Sequence, residues 1–293
     1  MVSLAALRYS DVFADNGGPI ESVAVGDVLV FGQPFKQANA FLRPEISIGK
    51  PDFAVYGQAD GTGSDPVGAV ACHMAISEAL ERWAFLAIHD GPDAAEYGFH
   101  VDRSSNGIAA YPGFFRKQAQ NLARFEALER FAIISWWNGR LPAENAGSPY
   151  PGVNAIRIHH DAGAGEVVIL VRRSRAGFAY GHAAARTLHE AVNKAAIELA
   201  RAEFVLVVHR AKGAIVEPAN FLERRALFFA SREGGESFAR RVGIRPEKPA
   251  SCWRTVFDGE IPGPWSRWAT VWRCCVEMPT DEFLNPASDF FFW

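Results

Sequence analysis

With 293 residues, 49% of them hydrophobic and 22% charged, the chain has material for one large domain or two ordinary ones and lies far from the composition of disordered proteins. Its 30 basic and 33 acidic residues give a net charge of −3, which supplies no electrostatic footprint for a nucleic-acid backbone or an anionic membrane. Cys72, Cys252, Cys274 and Cys275 form neither a disulfide framework nor a CxxC metal pair and read as reduced thiols.

The first residues, Met1 to Asp11, lack a basic segment followed by a long apolar one. No stretch approaches the roughly 18 uncharged apolar residues of a membrane span, so a cytoplasmic protein is expected. Residues 20–35 carry Val, Leu and Phe interrupted by Gly26 and Gly32, the pattern of short strands. An extended run is expected at 52–56, after Pro51. Gly61-Thr62-Gly63-Ser64-Asp65-Pro66 offers a glycine turn, an N-capping Asp and a Pro for the first helical position, which predicts a helix from there to about His89. A second helix is predicted over about 114–137, closed by the proline-bearing stretch 142–151. Residues 154–171, with Asp161-Ala-Gly-Ala-Gly165 at their middle, read as a β-hairpin. A third long helix fits 187–209. Residues 269–276 are strand-like, and alternation there would bury one of Cys274 and Cys275. The last 41 residues hold five of the eight tryptophans and end on Asp289-Phe290-Phe291-Phe292-Trp293. So much apolar surface is expected to dock on the chain's own core or a second subunit, or to close over a site.

An internal repeat carries the chemistry. Glu78-Ala79-Leu80-Glu81-Arg82 returns 48 residues later as Glu126-Ala127-Leu128-Glu129-Arg130, each copy within a predicted helix. At about 100° per residue, Met74, Glu78, Glu81 and Phe85 form one narrow stripe, and Leu122, Glu126, Glu129 and Ile133 form its counterpart. On the other side of the first helix Ala69, Cys72, Ile76, Ala79 and Trp83 make a second apolar stripe, so its carboxylates are expected to be partly desolvated. Such carboxylates must be protonated, paired or metal-bound. Four of them suit a hard cation such as Mg²⁺ shared with phosphate oxygens, with Arg82 and Arg130 as phosphate forks. The plainer alternative is two i,i+4 pairs, Glu78 with Arg82 and Glu126 with Arg130, each contributing about 0.2 to 0.5 kcal/mol.

A glycine turn, a helix with ExxER, the loop Ser105-Asn106-Gly107, a second ExxER helix followed by Trp136-Trp137, and a later glycine-led helix from Gly181 to Glu198 together resemble the YcaO family over residues 60–200. The resemblance implies a single α+β YcaO-like domain with mixed or antiparallel sheets and three long helices. It implies an ATP-dependent enzyme that phosphorylates a backbone amide oxygen during maturation of a ribosomally made peptide. Attack by a neighbouring Cys, Ser or Thr then gives an azoline, as in a cyclodehydratase, and attack by an outside sulfur source gives a thioamide. By resemblance Glu78, Glu81, Glu126 and Glu129 are Mg–ATP ligands, Arg82 and Arg130 orient phosphate, and Asn106 lies in the nucleotide-side loop.

Four positions depart from the family pattern: Met74 stands for a Ser, Gln118 for a Glu, Phe131 for an Asp and Thr62 for the Lys of Gly-Lys-Gly. The PxPxP ending of many azoline-forming members is absent, with Pro279 and Pro286 near the terminus. Two further roles therefore stay open: a catalytically degenerate scaffold subunit of a peptide-modification complex, and an accessory protein in sulfur modification of a ribosomal protein. A precursor peptide, a partner protein that delivers it and a homodimer are the expected associations; nucleic acid and membrane are not. His159-His160 reads as structural, since neighbours on a strand point to opposite faces. Glu198, beside Lys194 and Arg201, is a weaker site candidate, and Arg273 a weaker phosphate ligand.

Overall fold

The computed structural model describes residues 4–113, 116–163, 165–175, 177–213, 217–246 and 252–292. They fall into two units that interleave along the chain: Met1–Lys50, Gln58–Ala127 and Arg254–Glu277 in the first, Pro51–Gly57, Leu128–Trp253 and Met278–Trp293 in the second.

In the first unit a short helix α1 (Leu4–Arg8) precedes an antiparallel sheet of β1 (Ile20–Val30), β2 (Gln33–Leu42) and β3 (Gly61–Asp65). β1 and β2 make one long hairpin where short strands are predicted. Val30 pairs with Gln33 around Phe31 and Gly32, whose φ values of 49° and 81° supply the twist a two-residue turn needs. The helix α2 (Gly68–Ile88) lies on this sheet through buried Ala71, Ala75, Ala79, Leu80 and Ala84 against Ala38 and Ala40. β4 (Ile108–Tyr111), β9 (Thr255–Glu260) and β10 (Thr270–Val276) form a second antiparallel sheet in the order β4-β10-β9.

Gly61–Asp65 is thus a strand and not the predicted turn, pairing with Ala40 to Lys36 of β2. Its glycines serve close approach: a Cβ on Gly61 would stand 2.2 Å from the Ala75 carbonyl oxygen, and one on Gly63 2.2 Å from that of Ala71. The helix accordingly opens later, with Val67 at its N-cap, while Asp65 Oδ1 accepts from Val67 N at 2.8 Å. Trp83 of α2 meets Trp265 edge-on at 5.4 Å, so part of the tryptophan-rich stretch belongs to this core. Cys274 and Cys275 are both buried, against the expectation of one, because β10 is the central strand of its sheet.

The second unit is a four-stranded antiparallel sheet, β5 (Ala143–Ala146), β6 (Asn154–Ile158), β7 (Glu166–Ser174) and β8 (Gly177–Ala185), in sequential order. The predicted hairpin is β6–β7, with Asn154 opposite Val171. α3 (Arg116–Trp137) carries its C-terminal half here; the predicted start at 114 lies outside the described residues. α4 (Leu188–Ala211) begins on a capping box, in which Thr187 accepts from Glu190 N and Glu190 accepts from Thr187 N. Gly181 does not lead this helix, against expectation, but lies in β8, on which α4 packs so closely that a Cβ on Gly181 would stand 2.2 Å from both the Ala195 oxygen and the Leu199 nitrogen. Two short helices not predicted, α5 (Phe221–Ala230) and α6 (Arg232–Arg241), complete the unit.

Residues 51–57 form no strand, against expectation. They are held instead by the buried carboxylate of Glu223, which accepts from Ala54, Val55 and Tyr56 N at 2.7 to 3.0 Å and from Ala219 N at 2.8 Å. Burial pushes this carboxyl up, but the backbone N–H groups outweigh it and hold it below the usual 4.5. A depressed folded-state value contributes stability that is complete above the unfolded value and lost as pH falls through the folded one. Glu223→Gln, which presents an amide NH₂ to these donors, is expected to lower stability at neutral pH by about 2 to 4 kcal/mol. In urea denaturation the gap between wild type and variant should narrow as pH falls below 4.5.

The tail docks on its own unit. Phe291 packs against Trp136, Trp137, Tyr180, Phe229 and Phe238, with ring centroids 4.8 to 6.0 Å away. Trp293 lies outside the described residues. Among the described residues no helix is long and apolar enough to cross a membrane.

Candidate functional site

In the first unit, Glu78 is set by the strand its helix rests on. Thr62, between the two glycines of β3, donates to Glu78 Oε2 from its backbone N at 3.0 Å and from its hydroxyl at 3.2 Å. The i,i+4 pair with Arg82 is not formed. Among the described residues Oε1 takes no hydrogen bond, and Glu81, half-buried, stands one helical step along the same stripe.

Asn106 is buried in the loop before β4 and fixed by Asp102. Its Nδ2 donates to Asp102 Oδ2 at 3.0 Å, while Asp102 Oδ1 accepts from Ser104 N and Oγ. The carboxylate takes the amide nitrogen and leaves the amide oxygen of Asn106 as the group a ligand would meet. Behind the loop, Arg273 is fully buried, stacked on Phe99 with 3.4 Å from Cζ to the ring centroid, and donates to the Asp102 carbonyl oxygen at 2.6 Å. Burial pulls its pKa down, against the attraction of Cys275, Asp102 and Glu126. Arg273 is therefore a brace for the loop.

α3 is one continuous helix, so Glu126 and Glu129 share its face and both are half-buried. Glu129, in the second unit, is the more constrained. His182 Nδ1 of β8 lies 2.8 Å from its Oε1 and Ala184 N donates to its Oε2 at 3.1 Å. Burial pushes the Glu129 carboxyl up; the His182 hydrogen bond and charge, Arg130 and the Ala184 N–H together win and hold it low. Arg130 Nε is 3.8 Å from Glu129 Oε1, and its guanidinium lies 5.1 Å from the Phe292 ring centroid of the tail.

By donor chemistry each of these carboxylates suits a hard divalent cation. A carboxylate has about four lone-pair positions, and the hydrogen bonds to Glu78 and Glu129 leave some of them available. Gln118 Oε1 is a further buried oxygen, without a hydrogen-bond partner among the described residues. Among the described residues no group of three or more His, Cys, Asp or Glu is placed to hold a metal ion.

The apolar sandwich predicted around the glutamates is incomplete, because Met74 and Leu122 are 45% and 38% exposed. They occupy solvent-side turns of their helices. Phe131 is fully buried, edge-on to Trp253 at 5.4 Å, and serves packing. His159 pairs with Glu144 at 2.9 Å, and Glu198, 48% exposed, pairs with Arg201 at 2.8 Å. Sequence reasoning missed His182 entirely and the part played by Thr62. The signal was there: each follows a glycine pressed against a long helix, Gly61 on Ala75 and Ala79, Gly181 on Ala195 and Leu199, at the same spacing in both.

No protein-family model and no curated protein matches the sequence. Solved structures do. YcaO from Methanopyrus kandleri, bound with AMPPCP and Mg²⁺, aligns over 97% of this chain and 92% of its own with a TM-score of 0.60 at 14% identity. The E. coli microcin synthetase McbBCD complex aligns with pro-MccB17 bound (TM-score 0.56) and in a second structure (0.54), each at 11% identity over 87% of this chain and 86% of that one. The α+β architecture with antiparallel sheets described above is the fold of the YcaO proteins.

Proposed function

We propose that this chain is a YcaO-type enzyme that binds Mg–ATP and activates peptide backbone amides by O-phosphorylation, in the maturation of a ribosomally synthesised peptide to an azoline or a thioamide. The observation that carries the reading is the paired support of the ExxER glutamates: Thr62 holds one oxygen of Glu78, and His182 with Ala184 holds Glu129. Exposed helix pairs need no such strand-borne partners, whereas ligating carboxylates ordinarily have them. The M. kandleri neighbour's AMPPCP and Mg²⁺, and the peptide pro-MccB17 in the synthetase, point the same way.

Glu78, Glu81, Glu126 and Glu129 would hold the metal–nucleotide, Arg82 and Arg130 would offset phosphate charge, and Asn106 would present its amide oxygen. Bound ATP supplies the γ-phosphoryl group that turns an amide oxygen into a leaving group. The chain's own contribution is positioning and charge, the main demands of phosphoryl transfer. The peptide would arrive through a partner protein, as a cytoplasmic maturation complex requires.

A scaffold role is favoured by one observation: Phe131 occupies the family's Asp position as a fully buried packing residue. Incubation with ATP, Mg²⁺, a partner and a candidate precursor peptide, followed by mass spectrometry, separates the two. Loss of water or replacement of oxygen by sulfur in the peptide, together with phosphate release, is expected of the enzyme. An unmodified peptide under conditions where a second YcaO protein restores modification would identify a scaffold.

A further inference from the structure

Glu129 is held on both oxygens by one strand. His182 Nδ1 lies 2.8 Å from Oε1 and Ala184 N 3.1 Å from Oε2. An ionised carboxylate only accepts, so Nδ1 must carry the proton and the imidazole is the donor. Both side chains are largely buried, 17% and 15% exposed, which makes the contact rigid and weakly screened. His182 stands after Gly181, which lies so close to α4 that no side chain fits there. The strand position of His182 is thereby fixed by contacts that have nothing to do with Glu129. The first unit repeats the device in simpler form, with Thr62 after Gly61 holding Glu78.

We infer that His182 is a positioning residue for Glu129: its Nδ1–H and the Ala184 N–H fix the carboxylate plane so that the lone pairs they leave are aimed for a divalent cation. The inference rests on the Mg–ATP reading and assigns a second residue to it, on a strand outside both ExxER helices. A bare Glu129 on α3 would sample several rotamers, and each would have to be frozen out on binding. With His182 in place that cost is met during folding.

The test is titration with Mn²⁺ at saturating AMPPCP, following the spin-resonance signal of free Mn²⁺, on wild type, His182→Ala, His182→Met and His182→Gln. Loss of the donor is expected to raise the half-saturating Mn²⁺ concentration about 10- to 100-fold in the Ala and Met variants. Gln carries an N–H donor and is expected to recover most of that loss. Met fills the space without donating, so the comparison of Gln with Met decides the matter even if the Ala variant does not fold. A merely structural histidine would leave Gln and Met alike. Wild-type Mn²⁺ saturation in a folded Met variant overturns the inference and leaves the Mg–ATP reading standing. Absence of Mn–AMPPCP binding by the wild-type chain overturns both.

Discussion

Replacing Arg225 with Met is expected to release the C-terminal tail and to lower the stability of the second unit by about 3 to 5 kcal/mol. Arg225 is fully buried on α5 and donates to four backbone oxygens: Phe283 at 2.6 Å, Asn285 at 2.8 Å, Ser288 at 2.9 Å and Phe292 at 3.2 Å. Burial pushes its pKa down to about 10, so the guanidinium stays charged at neutral pH. It is the one side chain whose planar fork can satisfy so many acceptors in a dry site. Methionine restores volume and no donor, which leaves these carbonyls desolvated and unpaired. The aromatic end should then loosen from Trp136 and Trp137 and from Arg130, whose cation rests near the Phe292 ring. Near-ultraviolet circular dichroism and limited proteolysis read the result. A tail as protease-resistant as in wild type would mean that Phe290, Phe291 and Phe292 hold it without the clasp.

Gly61→Val is expected to cost at least about 3 kcal/mol and to abolish whatever binding Glu78 supports. The first added carbon alone would stand 2.2 Å from the Ala75 oxygen and 2.4 Å from the Ala79 nitrogen. Both are backbone atoms of α2, so no rotamer change relieves the clash and the strand must move off the helix. Thr62 moves with it, and its two hydrogen bonds to Glu78 are lost. Gly26→Ala is the control. It lies in β1 with open space at the Cβ position, and its effect should stay within about 0.5 kcal/mol. Equal destabilisation by the two substitutions would show that Gly61 is needed for chain flexibility and not for contact.

The three long helices and the ExxER repeat were legible because their signals are local: apolar spacing and a pentapeptide written twice. β3 and β8 were not. Gly-Thr-Gly-Ser and Gly-His-Ala-Ala are poor strand formers by propensity, and they are small because a helix passes across them. Propensity registers the missing side chains; only the assembled unit shows what replaces them. α6 carries Gly234 and Gly235, which are poor helix formers by propensity. Gly235 is there because Phe178 of β8 occupies the space of its Cβ, 2.3 Å away. The glutamates and arginines of the proposed site could be named in advance, but the hydrogen-bond partners of Glu78 and Glu129 could not. His182 and Glu129, or Asp102 and Asn106 with Arg273 behind them, meet through pairings between strands, loops and helices far apart in the chain. The 52–56 run shows the same limit, since Glu223 captures its N–H groups before any strand can.

The proposed function requires a metal–nucleotide site on the two ExxER helices. Calorimetric titration of the purified chain with ATP in Mg²⁺, repeated on Glu81→Gln and Glu129→Gln, tests it most directly. Binding by wild type that requires Mg²⁺ and weakens at least about tenfold in each variant is the predicted result. Wild-type protein that binds no ATP with its partner present, or variants that bind as wild type does, would contradict the claim and leave the repeats as structural elements of a scaffold.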